Sequence, residues 1–191
     1  MTKIYIVRHG ETDWNCEGRL QGGTDTTLNV RGKRQATICR NYFEQIKCDA
    51  IFTSTLQRAM LTATIMNETL KLPLIPLKEF AERTFGAAEG MTYEERIKEY
   101  PHKEYPDQET IDQLIERIAS GLQKIHDQYP NGKVLLVTHG AVIHTLFSMV
   151  ENAEIFPQSA RLSNGGVSTI HKQDGKWWLD KYNEIQHLLE Q

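Results

Sequence analysis

Short apolar runs alternate along the chain with longer stretches in which apolar residues return every three or four positions. Residues 3–8 (KIYIVR), 50–53 (AIFT), 73–77 (PLIPL) and 133–138 (KVLLVT) are strand-length and rich in Ile, Val and Leu, the pattern of buried strands. Between them Leu56, Ala59, Met60, Ala63 and Met66 recur at helical spacing. So do Ile111, Leu114, Ile115, Ile118, Leu122, Ile125 and Tyr129, the clearest amphipathic helix in the chain. The segment from Leu28 to Ile46 reads the same way, with Thr27 or Asn29 as its N-cap. Residues 166–172 (GVSTIHK) and 176–182 (KWWLDKY), joined by Gln173-Asp174-Gly175, predict a hairpin. Trp177 and Trp178 are adjacent on it, so one is expected to pack on the core and the other to face out.

Strand then helix, repeated, predicts an α/β fold: a three-layer α/β/α sandwich with a mostly parallel central sheet. In such sheets ligands bind just beyond the carboxyl ends of the strands. Residues 87–110 break the alternation. They are polar, carry Pro101 and Pro106 and mix both signs of charge, which predicts a lid-like excursion over one edge of the sheet. With no repeat, low-complexity tract or linker, residues 1–191 are expected to form a single domain bearing that excursion at about 87–110.

A length of 191 residues suits one domain with a sizeable core. The net charge of −3 and pI near 6.2 lack the basic excess of a nucleic-acid binder, so no nucleic-acid partner is expected. No apolar run approaches the roughly 20 residues that span a bilayer, and no leader pattern follows Met1. A cytoplasmic protein without a membrane partner is therefore the expectation, and nothing in the sequence sets an oligomeric state. Cys16, Cys39 and Cys48 have neither disulfide-framework nor zinc-site spacing. Cys39 falls on the apolar face of a helix and reads as core; Cys16 is a thiol near His9 in sequence, with nothing beside it to specify a role.

The polar residues gather where strands end. The first strand runs into Arg8-His9-Gly10 and the fourth into Thr138-His139-Gly140. The second leads to Arg58 in an early turn of the next helix, and the third is followed by Glu79 and then Glu82. Each has a bland reading, a solvated arginine or carboxylate or a structural histidine, but together they converge on one crevice. A guanidinium fork suits the oxygens of a phosphoryl group, and a neutral imidazole nitrogen attacks phosphorus. Arg8, Arg58 and His139 offset charge developing on the equatorial oxygens, so no metal or other cofactor is called for. Glu82 supplies the proton that an alcohol leaving group needs and then deprotonates the water that cleaves the phosphohistidine.

In these residues the sequence resembles the histidine phosphatase superfamily, the branch that contains cofactor-dependent phosphoglycerate mutases, fructose-2,6-bisphosphatases and many small phosphatases. The likeness runs from Arg8 to about Ser168, through RHGETDWN (8–15), GRLQGGTDTTLNVRGKRQA (18–36), TSTLQRAMLTA (53–63), ERTFGAAEG (82–90), VTHGAVI (137–143) and NGGVSTI (164–170). It implies His9 as the nucleophile, Arg8, Arg58 and His139 as the phosphate clamp assisted by Asn15 and the Gly140 backbone, and Glu82 as proton donor and acceptor. Gln21 and Gly22 correspond to the loop bordering the substrate; Gly10 and Glu11 have a structural role. The family fold it implies is the same α/β sandwich. Thr27 stands where the family often has proline, and Ala88 where it often has tryptophan.

The expected function is metal-independent hydrolysis of small phosphomonoesters through a phosphohistidine. A phosphoglycerate mutase-type phosphotransferase is the alternative, since the first half-reaction is shared. Mutases are longer and carry an extra basic segment after the acid, whereas residues 87–110 are short and of mixed charge. A non-catalytic phosphate-binding protein is the reading from another class; retention of His9 and Glu82 speaks against it. Of the other histidines, His102 lies in the excursion, and His144 is expected to face away from His139.

Overall fold

The computed structural model describes residues 1–155 and 161–189. Six strands, β1 (Lys3–Arg8), β2 (Ala50–Thr53), β3 (Leu74–Pro76), β4 (Lys133–Thr138), β5 (Val167–Gln173) and β6 (Lys176–Glu184), form one sheet in the order β3-β2-β4-β1-β5-β6. The first four are mutually parallel; β5 adds antiparallel to β1 and β6 antiparallel to β5, as the expected hairpin. A mostly parallel sheet between helical layers is the predicted architecture.

Period-two alternation divides the core. Ile4, Ile6, Phe52, Val134 and Leu136 face one side, where α5 (Ile111–Gln128) and α6 (Gly140–Ser148) cover them. Val7, Ile51, Leu135 and Val137 face the other, under α2 (Val30–Phe43) and α3 (Gln57–Leu70). Helix α5 opens on a capping box between Thr110 and Gln113 and buries Leu114, Ile118, Leu122 and Ile125 among the positions its period marked, while Ile111 of that set is exposed. Each such side chain contributes about 1.5–3 kcal/mol of burial. Cys39 is core, as expected.

The choice of cap for α2 falls on Asn29, whose side chain accepts from the Gly32 amide. Trp177 packs against the core and Trp178 is exposed. The third strand corrects the reading: only Leu74–Pro76 is strand, on the sheet edge and partly exposed rather than buried. Pro73 and Pro76 lack the N–H groups that a central strand needs, which confines this segment to an edge. Helix α1 (Asp13–Cys16) was not predicted; its capping box, Thr12 with Asn15, is the signal for it.

Two features position the site. Parallel pairing sets Arg8 opposite Thr138, so the residues that follow, His9 and His139, leave the sheet side by side. The excursion, which includes α4 (Tyr93–Glu99), is fastened beside these strand ends: the Leu20 and Gly90 segments exchange backbone bonds, Leu20 N–H to Met91 O at 3.0 Å and Gly90 N–H to Leu20 O at 2.7 Å.

Candidate active site

His9 is buried, and its amide donates to the Thr138 carbonyl oxygen at 2.9 Å. Its Nδ1 lies 2.7 Å from the Gly10 carbonyl oxygen, which only accepts, so Nδ1 carries the proton and Nε2 keeps its lone pair. Gly10 has to be glycine, because a Cβ there would stand 2.3 Å from the Gly32 carbonyl oxygen at the start of α2. Burial, then the charges of Arg8 and Arg58, hold the His9 pKa well below 6.5, with the Gly10 hydrogen bond working the other way. The imidazole is thus a neutral base at physiological pH.

The His139 ring centroid is 5.1 Å from that of His9. Its Nε2 meets the Ser54 hydroxyl at 2.7 Å, and Ser54 Oγ already accepts from the Leu56 amide. With the hydroxyl hydrogen directed to Nε2, Nδ1 is the protonated nitrogen. Burial, followed by His9 and the nearby guanidiniums, depresses this histidine well below its ordinary value too.

Arg58 is fully buried and braced at both ends of its fork, Nη1 to the Thr24 carbonyl at 2.9 Å and Nη2 to the Gly22 carbonyl at 2.7 Å. Arg8 donates from Nη1 to the Leu162 carbonyl. Among the described residues, the buried side-chain nitrogens and oxygens without a hydrogen-bond partner are Arg8 Nε, Arg58 Nε and His139 Nδ1. Buried polar groups are nearly always paired. Two of the three are guanidinium nitrogens on residues that line one cavity, a cradle for an anion with several oxygens, and the third is on the imidazole beside His9.

Glu82 accepts from the amides of Ala141 and Val142 at 3.2 Å and of Arg83 at 3.0 Å. Its carboxylate thereby caps α6, whose own N-cap residue, His139, makes no side-chain cap bond. Burial raises the Glu82 pKa above 4.5, against the opposing pull of those amides and of Arg58 and Arg8.

A cavity of about 120 Å³ is lined by Arg8, His9, Arg58 and Glu82, with Asn15, Gln21 and Gly22 on one loop. Asn15 Oδ1 accepts from the Thr12 amide at 3.1 Å and from Asn164 Nδ2 at 3.3 Å, which leaves the Asn15 amide hydrogens for the cavity. Gln21 Oε1 is likewise occupied by the Thr12 and Thr26 hydroxyls. His139 and Gly140 stand behind the cavity wall; a Cβ on Gly140 would lie 3.7 Å from Arg8 Nε. Arg19, Leu20 and Phe85 complete the wall and were not foreseen. Nor were Ser54 behind His139, or Asn164, which also donates to the His9 carbonyl at 2.9 Å. His102 is exposed and outside the cavity wall, whereas His144 is partly buried, its pKa lowered by burial and then by the charge of nearby Arg8, closer to the site than its spacing suggested. A larger cleft of about 620 Å³ lies between α2 and the terminal helix α7 (Gln186–Leu189), but none of the three unpaired nitrogens belongs to its lining.

The arrangement supports attack by His9 Nε2 on a phosphorus held by Arg8 and Arg58. Known phosphatases resemble this chain over almost its whole length. The family model of the histidine phosphatase superfamily (branch 1) matches residues 4–185. The uncharacterized phosphatase PhoE of Bacillus subtilis is 46% identical, over 98% of this chain and 97% of its own. The Bacillus stearothermophilus YhfR structure superimposes with a TM-score of 0.88 at 27% identity, covering 98% of this chain and 100% of that one. The phosphoserine phosphatase of Entamoeba histolytica, solved in complex with 3-phosphoglyceric acid, superimposes with a TM-score of 0.84 at 30% identity, over 98% and 100% of the two chains.

Proposed function

This chain belongs to the histidine phosphatase superfamily, branch 1, and from that premise we propose that His9 is its nucleophile in the metal-independent hydrolysis of small phosphomonoesters. The observation that carries the assignment is the meeting of a His9 Nε2 lone pair with the unpaired guanidinium nitrogens of Arg8 and Arg58 at one small cavity, with the unpaired His139 imidazole beside His9.

In the first step His9 Nε2 bonds to phosphorus while the bond to the ester oxygen breaks. Protonated Glu82, its pKa raised by burial, gives that oxygen its proton and the alcohol leaves. Arg8, Arg58, His139 and Asn15 hold the non-bridging oxygens as charge builds on them. In the second step ionised Glu82 takes a proton from water, the water oxygen bonds to phosphorus, and the phosphorus–Nε2 bond breaks. Inorganic phosphate leaves and both side chains return to their starting forms.

A cavity of about 120 Å³ is small beside the 300–1,000 Å³ of ordinary ligand pockets. It takes the phosphoryl group and the ester oxygen, and the rest of the substrate extends past Leu20 and Phe85. The Entamoeba relative, named for phosphoserine and bound to 3-phosphoglyceric acid, makes three-carbon phosphorylated acids the first candidates. The same reading puts the protein in the cytoplasm with no nucleic-acid partner; among the described residues no helix is long and apolar enough to cross a membrane. The test is phosphate release from phosphoserine, 3-phosphoglycerate and other esters in excess EDTA, with wild type and His9→Ala in parallel. Release that survives EDTA and is lost in His9→Ala is expected; conversion of 3-phosphoglycerate to its isomer without phosphate release would replace hydrolysis with transfer.

A further inference from the structure

One carboxylate outside the cavity wall holds three parts of the site together. Glu89 lies at the start of the excursion and accepts from four donors: the amides of Gly23 and Thr24, each at 2.8 Å, the Thr24 hydroxyl, and the Phe85 amide at 2.9 Å. The loop it grips is the one whose Gly22 and Thr24 carbonyls fix the two ends of the Arg58 fork. Gly22 sits at φ +55°, and a Cβ there would come 2.2 Å from Glu89 Oε1, so loop and carboxylate are in direct contact. Phe85, tied to the same carboxylate, is in the cavity wall.

The geometry points to Glu89 as a positioning residue for Arg58: it fixes the Gly22–Thr24 loop so that the carbonyls there turn Arg58 Nε toward the phosphoryl oxygens. This inference rests on Arg58 being a phosphate clamp. A guanidinium bonded at both Nη atoms has little freedom left, so the direction of its Nε–H is set by where those two carbonyls stand. Their place is set in turn by a carboxylate that acts only as an acceptor, toward four donors. An amide in its place has one oxygen and an NH2 group, and the NH2 would confront backbone N–H donors. The loop then has to shift, and Arg58 with it. The low Glu89 pKa, which its hydrogen bonds from Thr24, Phe85 and Gly23 maintain against burial, keeps the strut ionised at neutral pH.

The test is a double-variant cycle with wild type, Glu89→Gln, Arg58→Ala and the pair. It is read on kcat/KM for p-nitrophenyl phosphate and on the Kd of inorganic phosphate, and thermal unfolding confirms that each variant folds. Thr24→Val, which removes a single donor to Glu89, takes the place of Glu89→Gln if that variant does not fold. Displacing a positioned group by about 1 Å costs on the order of 100-fold, so Glu89→Gln is expected to lower kcat/KM by about 10- to 100-fold. In the Arg58→Ala background the same change is expected to cost less than about threefold, because the group it positions is gone. Equal losses in both backgrounds would mean that Glu89 acts through general stability, and would overturn the inference. A wild type that binds phosphate but hydrolyses no ester would sink the hydrolase reading alone, and the cycle on phosphate affinity would still decide the role of Glu89. A wild type that binds no phosphate overturns both.

Discussion

His139→Gln removes one of two imidazoles that the fold buries in the neutral form, and the consequence is visible in how stability depends on pH. His9 and His139 are 2% and 0% exposed, and both have folded pKa values depressed well below 6.5 by burial and by neighbouring cations. In the unfolded chain each takes up a proton near pH 6.5; in the folded chain neither does until the pH is far lower. Their contribution to stability is therefore complete above the unfolded value and is lost as the pH falls toward the folded one. Each such group costs about 1.4 kcal/mol per pH unit in that window, about 2.7 kcal/mol for the pair. For a domain of this size 1 kcal/mol moves Tm by about 2–4 °C, so the pair lowers Tm by about 5–10 °C per pH unit. The carboxylates whose pKa values the fold lowers, Glu11, Glu79, Glu89 and Glu95, titrate below 4.5; Glu82, raised by burial, adds a slope of opposite sign above 4.5, and His126 and His144, lowered by burial, add to that of the pair, but all three are common to wild type and variant. Thermal unfolding of wild type and His139→Gln at intervals across that window is the assay. The variant is expected to lose about 1.4 kcal/mol per pH unit of the wild-type slope, and the rest of its pH dependence is expected to persist. Parallel curves would show that His139 is not held neutral, and would refute the electrostatic description of the pocket.

Two further outcomes follow from the same geometry. Glu82→Gln is expected to cut kcat/KM by about 100- to 10,000-fold for alkyl phosphates and much less for p-nitrophenyl phosphate, whose leaving group needs no proton. In wild type kcat/KM is expected to decline as the pH rises through the raised pKa of Glu82, and stopped-flow and steady-state profiles of the variant should show no such decline. Titration of the native protein with a thiol reagent should modify Cys16, which is exposed, and spare Cys39 and Cys48, which are buried with their thiols pushed up to about 12; unfolding in denaturant should release the remaining two.

The sheet was legible because its central strands are short, nearly continuous apolar runs, and the helices because their apolar residues keep a period near 3.6. The pairing of His9 with His139 was foreshadowed by two strands that end alike; parallel register then makes sequence likeness into spatial adjacency. Arg8, Arg58 and Glu82 reach the same cavity because they lie at or beyond the carboxyl ends of parallel strands of one sheet. Residues that act on another chain segment's backbone left no such trace. Asn164 bonds to the His9 carbonyl across 155 positions, and Glu89 to the Gly23 amide across 66. No local period or spacing relates such partners; only the folded chain brings them together. The edge position of β3 was missed for a different reason, since its leucines and isoleucine outweighed the two prolines that break its ladder.

The claim at the centre of this account is that phosphoryl transfer passes through His9 Nε2. Its most direct measurement is 31P NMR together with peptide mapping under alkaline quench, where phosphohistidine survives, after mixing enzyme with p-nitrophenyl phosphate. The Glu82→Gln variant is the better sample, because it forms the intermediate from this ester and lacks the base that activates water. The account predicts a phosphohistidine on the peptide that contains His9, abundant in Glu82→Gln, transient in wild type and absent in His9→Ala. Phosphate release by a His9→Ala protein at the wild-type rate, or a label on any other residue, would contradict it.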